Sequence, residues 1–124
     1  MHKSTEQLKQ RCKTFALRVM RLVRALPSDN VATAIGNQLV RSGTSVAANY
    51  RAACIGKSRK DFINKLRIAA EEADESALWM ELIIEDSILP EKQVSPLQAE
   101  ASELTAIFLS SIKTARSNED LSRK

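Results

Sequence analysis

Few residues in this chain can do chemistry, and their spacing argues against catalysis. There is one histidine, His2, and there are two cysteines, Cys12 and Cys54. A single histidine at a chain end leaves no Ser/His or Cys/His pair within a core and no His-ligated metal, and two isolated cysteines lack the paired spacing of a zinc site. They are expected as free thiols in a reducing cytoplasm. Gly56-Lys57-Ser58 has the ending of a phosphate-binding loop, but that motif needs a glycine where Arg51 stands and a strand before it. A glycine closing one helix and a serine opening the next account for the same residues. The run Glu71, Glu72, Asp74, Glu75 offers carboxylates, yet bundle metal sites of that kind add Glu-x-x-His pairs, which this sequence lacks. Ser110-x-x-Lys113 outlines a Ser–Lys nucleophile with nothing nearby to make an oxyanion hole. No catalytic residue, cofactor or metal ligand is therefore expected.

What remains is charge. Residues 1–60 hold 12 Lys and Arg against 2 Asp and Glu, whereas residues 61–124 hold 7 against 13. The chain is electrostatically polarised, which fits either a polyanion-facing surface or complementary packing between halves or subunits. Within the first half, Lys9, Lys13, Arg18, Arg21 and Arg24 fall on one half of a helical projection, with Arg11 at the margin of the opposite, apolar stripe. Five aromatic residues, several of them core candidates, are too few for base stacking, so contacts with phosphates would dominate nucleic-acid binding.

The elements that must carry these residues are four helices. With 124 residues, 44% hydrophobic and only three Gly and three Pro, the chain suits one domain of long helices. Breaks fall at Pro27, Gly56 and the Pro90/Pro96 pair. The first helix, about residues 5–26, has an apolar stripe through Leu8, Cys12, Phe15, Val19, Leu22, Val23 and Leu26. The second, about 30–55, aligns Gly36, Val40, Gly43, Ala47, Tyr50 and Cys54 beside Val31, Ile35, Leu39, Val46 and Ala53. An interior Gly costs about 1 kcal/mol relative to Ala, so two on one line imply close backbone approach. The third, about 59–86, carries one seam through Phe62, Leu66, Ala69, Ala73, Ala77, Met80 and Ile84, and a second through Ile68, Trp79 and Leu82. The fourth, about 96–116, presents Leu97, Ala101, Leu104, Phe108, Ile112 and Ala115. Ser4, Ser58 and Ser95 read as N-caps, the last followed by Pro96 at the first helical position, and one of residues 28–30 caps the second helix. The expected fold is an all-α, antiparallel up-down four-helix bundle over residues 1–116, with a disordered polar tail over 117–124. No apolar run is long enough for a membrane span, and no secretory segment is evident, so a cytoplasmic location is expected.

The stretch Gln38-Leu39-Val40-Arg41-Ser42-Gly43-Thr44-Ser45-Val46-Ala47-Ala48-Asn49-Tyr50-Arg51-Ala52 resembles the signature of the small bacterial four-helix proteins encoded in intervening sequences of 23S ribosomal RNA genes. The third helix agrees, with Phe62 near its start and, in Glu72-Ala73-Asp74-Glu75-Ser76-Ala77-Leu78-Trp79-Met80, a Glu preceding a Trp-hydrophobic pair, where Leu is more usual than Met80. The resemblance is specific over about residues 35–86. It implies a non-enzymatic bundle that assembles into a ring-like homopentamer. It also links the chain to the accessory protein of diversity-generating retroelements, which binds nucleic acid and a reverse transcriptase.

Two functions follow as expectations. One is a binding module whose basic surface, Lys9, Lys13, Arg18, Arg21 and Arg24, engages RNA or DNA backbone. The other is a structural or adaptor protein whose basic face meets an acidic protein or a neighbouring subunit. Helix two and the double-seamed helix three offer more apolar surface than one core absorbs, which predicts a homo-oligomer. Arg41, Ser45, Asn49 and Arg51 are expected to make structural hydrogen bonds within the bundle or across a subunit boundary, because polar groups between apolar faces must be paired. Trp79 is expected either in the core or as an interface anchor.

Overall fold

The computed structural model describes residues 3–122, and side-chain environments for residues 4–118. Its elements are α1 (Lys3–Arg24), α2 (Asn30–Cys54), α3 (Arg59–Glu85) and α4 (Glu91–Ser122), with no strand among the described residues. His2 lies outside them.

Local signals fix two of the starts. Asp29 caps α2 by accepting the Ala32 N–H at 2.8 Å, and Ser58 caps α3 by accepting the Asp61 N–H at 3.1 Å. The other two starts differ from expectation. α1 is already helical at Lys3, so Ser4 sits inside it rather than at its cap. α4 begins at Glu91 and runs through Pro96, whose missing N–H costs one helix hydrogen bond at that depth. Burial outweighs that cost, because Val94, in the added turn, is fully buried alongside Leu97. At its other end α4 continues past residue 116 to Ser122; residues 123 and 124 lie outside the described range.

Gly56 does not adopt positive φ. It serves by its small size instead, since a Cβ there would lie 3.3 Å from both the Ala53 carbonyl oxygen and the Asp61 Cβ.

The helices pack in cyclic order, α1 on α2, α2 on α3 and α3 on α4, with α1 and α4 only lightly in contact and no diagonal pairs. Neighbours are antiparallel. Val19 meets Gly43 whereas Leu26 meets Gly36, and Arg41 meets Glu72 whereas Val31 and Ile35 line a groove with Leu82. The core joins the stripes of all four helices, centred on Phe15, Leu39, Leu66, Met80, Leu104 and Phe108, with Tyr50 stacked on Phe108 at 5.6 Å. All six apolar positions expected on α4 are buried. On α3 the buried arc is broader than the expected seam and takes in Ile63, Ala70, Ser76 and Ile83, while Phe62, Ala77 and Ile84 flank it half-buried. The second seam remains on the surface, with Ile68 and Leu82 exposed and Trp79 half-buried.

The α3 terminus forms a Schellman turn without glycine. Ile88 N–H donates to the Ile83 carbonyl at 2.9 Å and Ser87 N–H to that of Ile84 at 3.0 Å, with Ser87 at φ 56°. A side chain in that left-handed conformation costs roughly 1 kcal/mol. Ser87→Gly should relieve this and raise the melting temperature by a few degrees in a thermal unfolding scan, because Ile83 and Ile88 already fix the turn through the core.

Candidate nucleic-acid interface

The basic side chains of α1 meet different surroundings because the two neighbours of that helix pack differently. Against α2 the approach is close: a Cβ on Gly43 would fall 2.7 Å from Val19 Cγ1, and one on Gly36 would fall 3.0 Å from Leu26 Cδ1. The expected role of the glycine line is thereby met, on the α1 side. Against α4 the seam is looser and a polar clamp closes it. Arg11 Nε and Nη2 donate to the two carboxylate oxygens of Glu100, both at 2.8 Å, and Nη2 also lies 2.9 Å from Glu103. This fork geometry gives a charge-assisted pair its directionality. Arg11 holds the Glu100 carboxyl below its ordinary range, with nearby Arg18 adding to the effect.

The five expected contact residues form an arc rather than a single strip. Lys9 is half-buried and pairs with Glu6 at 3.4 Å, and Lys13 is exposed beside it along α2. Arg18 and Arg21 lie along α4, near Gln93 and Pro96, while Arg24 is exposed near the end of α1. Among the described residues, no carboxylate lies within ion-pair distance of Lys13, Arg21 or Arg24. Leu17, exposed, sits within this arc. The sequence marks the cations but cannot show that acids from α4 answer Arg11.

The motif residues of α2 divide into three kinds. Arg41 makes interhelical contacts, with Nη1 2.9 Å from Glu72 and Nη2 bonded to Glu75, and Glu75 in turn accepts the Trp79 indole N–H at 3.2 Å. Trp79 is therefore neither a deep core residue nor fully free, but part of an Arg41–Glu75–Trp79 chain on the outer α2–α3 seam. Ser45 and Asn49 bond to each other: Asn49 Nδ2 donates to the Ser45 carbonyl and hydroxyl oxygens, each at 2.9 Å. Their pairing stays within one helix. Arg51 is exposed and without a carboxylate at ion-pair distance among the described residues. Ten residues, or about 80° of helical turn, separate it from Arg41, so it faces α1 instead of α3.

Beneath Arg41 lies a contact that residue-type reasoning missed. Ser42 and Ser76, both fully buried, share a hydrogen bond of 2.8 Å across α2 and α3, and Ser76 also reaches the Glu72 carbonyl at 2.9 Å. The signal was available in the spacing, since Ser76 falls three residues after Ala73 and four before Met80, on the apolar seam. Cys12 and Cys54 are free thiols, and burial pushes the Cys12 thiol up to about 12, which makes it a poor nucleophile. No cluster of three or more metal-ligating side chains occurs among the described residues, and no helix is long and apolar enough to cross a membrane.

A family model of 23S rRNA-intervening sequence proteins matches residues 5–110. The chain belongs to this family. The match runs from the first turns of α1, through the Arg41–Glu72–Glu75 contact and the Ser42–Ser76 pair, into α4. The chain is also similar to a protein of unknown function from the S23 ribosomal protein family of Bacteroides thetaiotaomicron VPI-5482, known from a crystal structure. That protein is 35% identical, with a TM-score of 0.81 over 88% of this chain and 97% of the other. No curated protein matches.

The clamp between α1 and α4 titrates in a defined direction. The Glu100 carboxyl is depressed in the fold, so its stabilisation is present above the ordinary carboxylate range and is lost as pH falls through the lowered value. Arg11→Gln should lower stability by about 1 kcal/mol at neutral pH, the pair being partly exposed. Thermal scans between neutral and strongly acidic pH should show the gap between parent and variant closing only at the acidic end.

Proposed function

We propose that this chain is a non-enzymatic, oligomeric binding module of the cytoplasm that holds RNA or DNA by its backbone through the outer face of α1. The observation that carries this reading is the contrast along one helix. Arg11 is matched by two carboxylates, whereas Lys13, Arg21 and Arg24 project into solvent with none at ion-pair distance. Solvated helices ordinarily balance such cations with acids three or four residues away. The association of the family with an rRNA intervening sequence supports RNA as the polyanion.

Self-association is the second part of the proposal. Val31, 55% exposed, and Leu78, 46% exposed, lie with Ile68 and Leu82 on the outer side of α2 and α3, among the acidic residues of α3. A second copy packed over these side chains would remove them from water. The count of five comes from the resemblance, as does a reverse transcriptase as protein partner. In a ring, each subunit would repeat the same cationic arc, and multivalency would raise a weak single-site affinity without new contacts.

The test compares the parent with Lys13→Gln/Arg21→Gln/Arg24→Gln for binding to a generic single-stranded RNA across a salt series. Three lost phosphate contacts should weaken binding and flatten the log–log salt slope by roughly 2, at about 0.7 per phosphate on single strands. Equal affinity and slope would discard the α1 face and favour the adaptor reading, in which the basic arc meets an acidic protein. Sedimentation equilibrium of the parent at micromolar concentration should show an oligomer, and a stable monomer would remove that part.

A further inference from the structure

Arg51 carries the inference furthest. It belongs to the same α2 motif as Arg41, yet the fold turns it away from the acids of α3 and toward the two lysines at the start of α1. Lys9, Lys13 and Arg51 line one groove of about 300 Å³ between α1 and α2. The one carboxylate lining it is Glu6, whose side chain is 58% exposed and is held by Lys9. Three cations against one solvated carboxylate leave the groove lining with a net positive charge, which an anion between them would offset.

The shape of the groove limits what the anion can be. Its α2 wall is Ala47 and Ala48, which present only methyl groups, so a ligand backbone can settle against the helix surface without displacing long side chains. The close approach of α1 to α2 at Gly43 brings the cations of both helices to one trough. Lys13 stands in this trough and also begins the outward arc that continues to Arg21 and Arg24. From Lys9 to Arg24 that path covers about 22 Å along α1, at 1.5 Å per residue. A linear, flexible polyanion fits such a trough and arc better than a compact anion or a broad acidic protein surface.

We infer that Arg51, with Lys9 and Lys13, forms a two-helix cationic groove that seats the phosphodiester backbone of a single nucleic-acid strand, the entry point of the path that continues along α1. This rests on the nucleic-acid reading above and adds a contact residue from α2, outside the α1 face. Arg51 is a binding residue here and not the structural one that its motif suggested.

The experiment uses the full chain, with oligo(U) RNA and inorganic phosphate as probes. Arg51→Gln should weaken oligo(U) binding several-fold and flatten its salt slope by about 0.7, with the melting temperature unchanged or raised because a like charge has been removed. Arg51→Lys should restore most of the slope. If Arg51→Gln binds like the parent while the Lys13/Arg21/Arg24 variant is weakened, the groove falls and the α1 reading stands. If neither differs from the parent, both fall. A lower melting temperature for Arg51→Gln would show a structural arginine and overturn the inference. So would thermal stabilisation of the parent by inorganic phosphate, absent in Arg51→Gln, with oligo(U) binding equal in both, since the site would then hold a free anion rather than a strand.

Discussion

The closeness of α1 to α2 is the constraint on which the remaining geometry depends. Gly43 leaves no room for even a Cβ beside Val19, and Gly36 leaves little beside Leu26. Each glycine costs helix propensity, and the packing of Val19, Val23 and Leu26 into the space they leave offsets it. Because α1 is drawn onto α2, its contact with α4 is slight, and a polar fork from Arg11 spans that seam in place of an apolar ridge. The same approach sets Lys9 and Lys13 opposite Arg51. One steric fact about two glycines thus decides which cations are neutralised within the bundle and which are left facing outward.

Charge is distributed by the same logic. The basic first half and acidic second half of the chain meet across helices at two cations among the described residues. Arg41 reaches Glu72 and Glu75, and Arg11 reaches Glu100 and Glu103. Both clusters bridge antiparallel neighbours over buried residues, the first above the Ser42–Ser76 hydrogen bond and the second above Cys12 and Phe15. Among the described residues, Lys13, Arg21 and Arg24 on α1 and Arg51 on the adjoining edge of α2 have no carboxylate at ion-pair distance. The exposed Ile68, Leu78 and Leu82 share α3 with its acidic residues.

Much of the fold was legible from local pattern. Helix number, the apolar stripes of α1 and α4, and the caps at Asp29 and Ser58 depend on residues within one or two turns of one another. The start of α4 was not legible in this way, because distant burial overrode a local signal: Val94, buried against other helices, pulls it back past Pro96. The candidate site was legible only as a composition of charges. Lys13 and Arg51 are far apart in sequence, and nothing in their local neighbourhoods relates them.

Periodicity and charge are properties of single segments, so four helices, with a cationic first and an acidic third, are already written in the chain. Which charges meet depends on how those helices pack. Arg41 and Arg51 are the same residue type in the same helix, and about 80° of rotation gives one a pair of carboxylates and the other a pair of lysines. Rotation about a helix axis acquires meaning only when the neighbouring helices are in place, and the close contact at Gly43 puts α1 there.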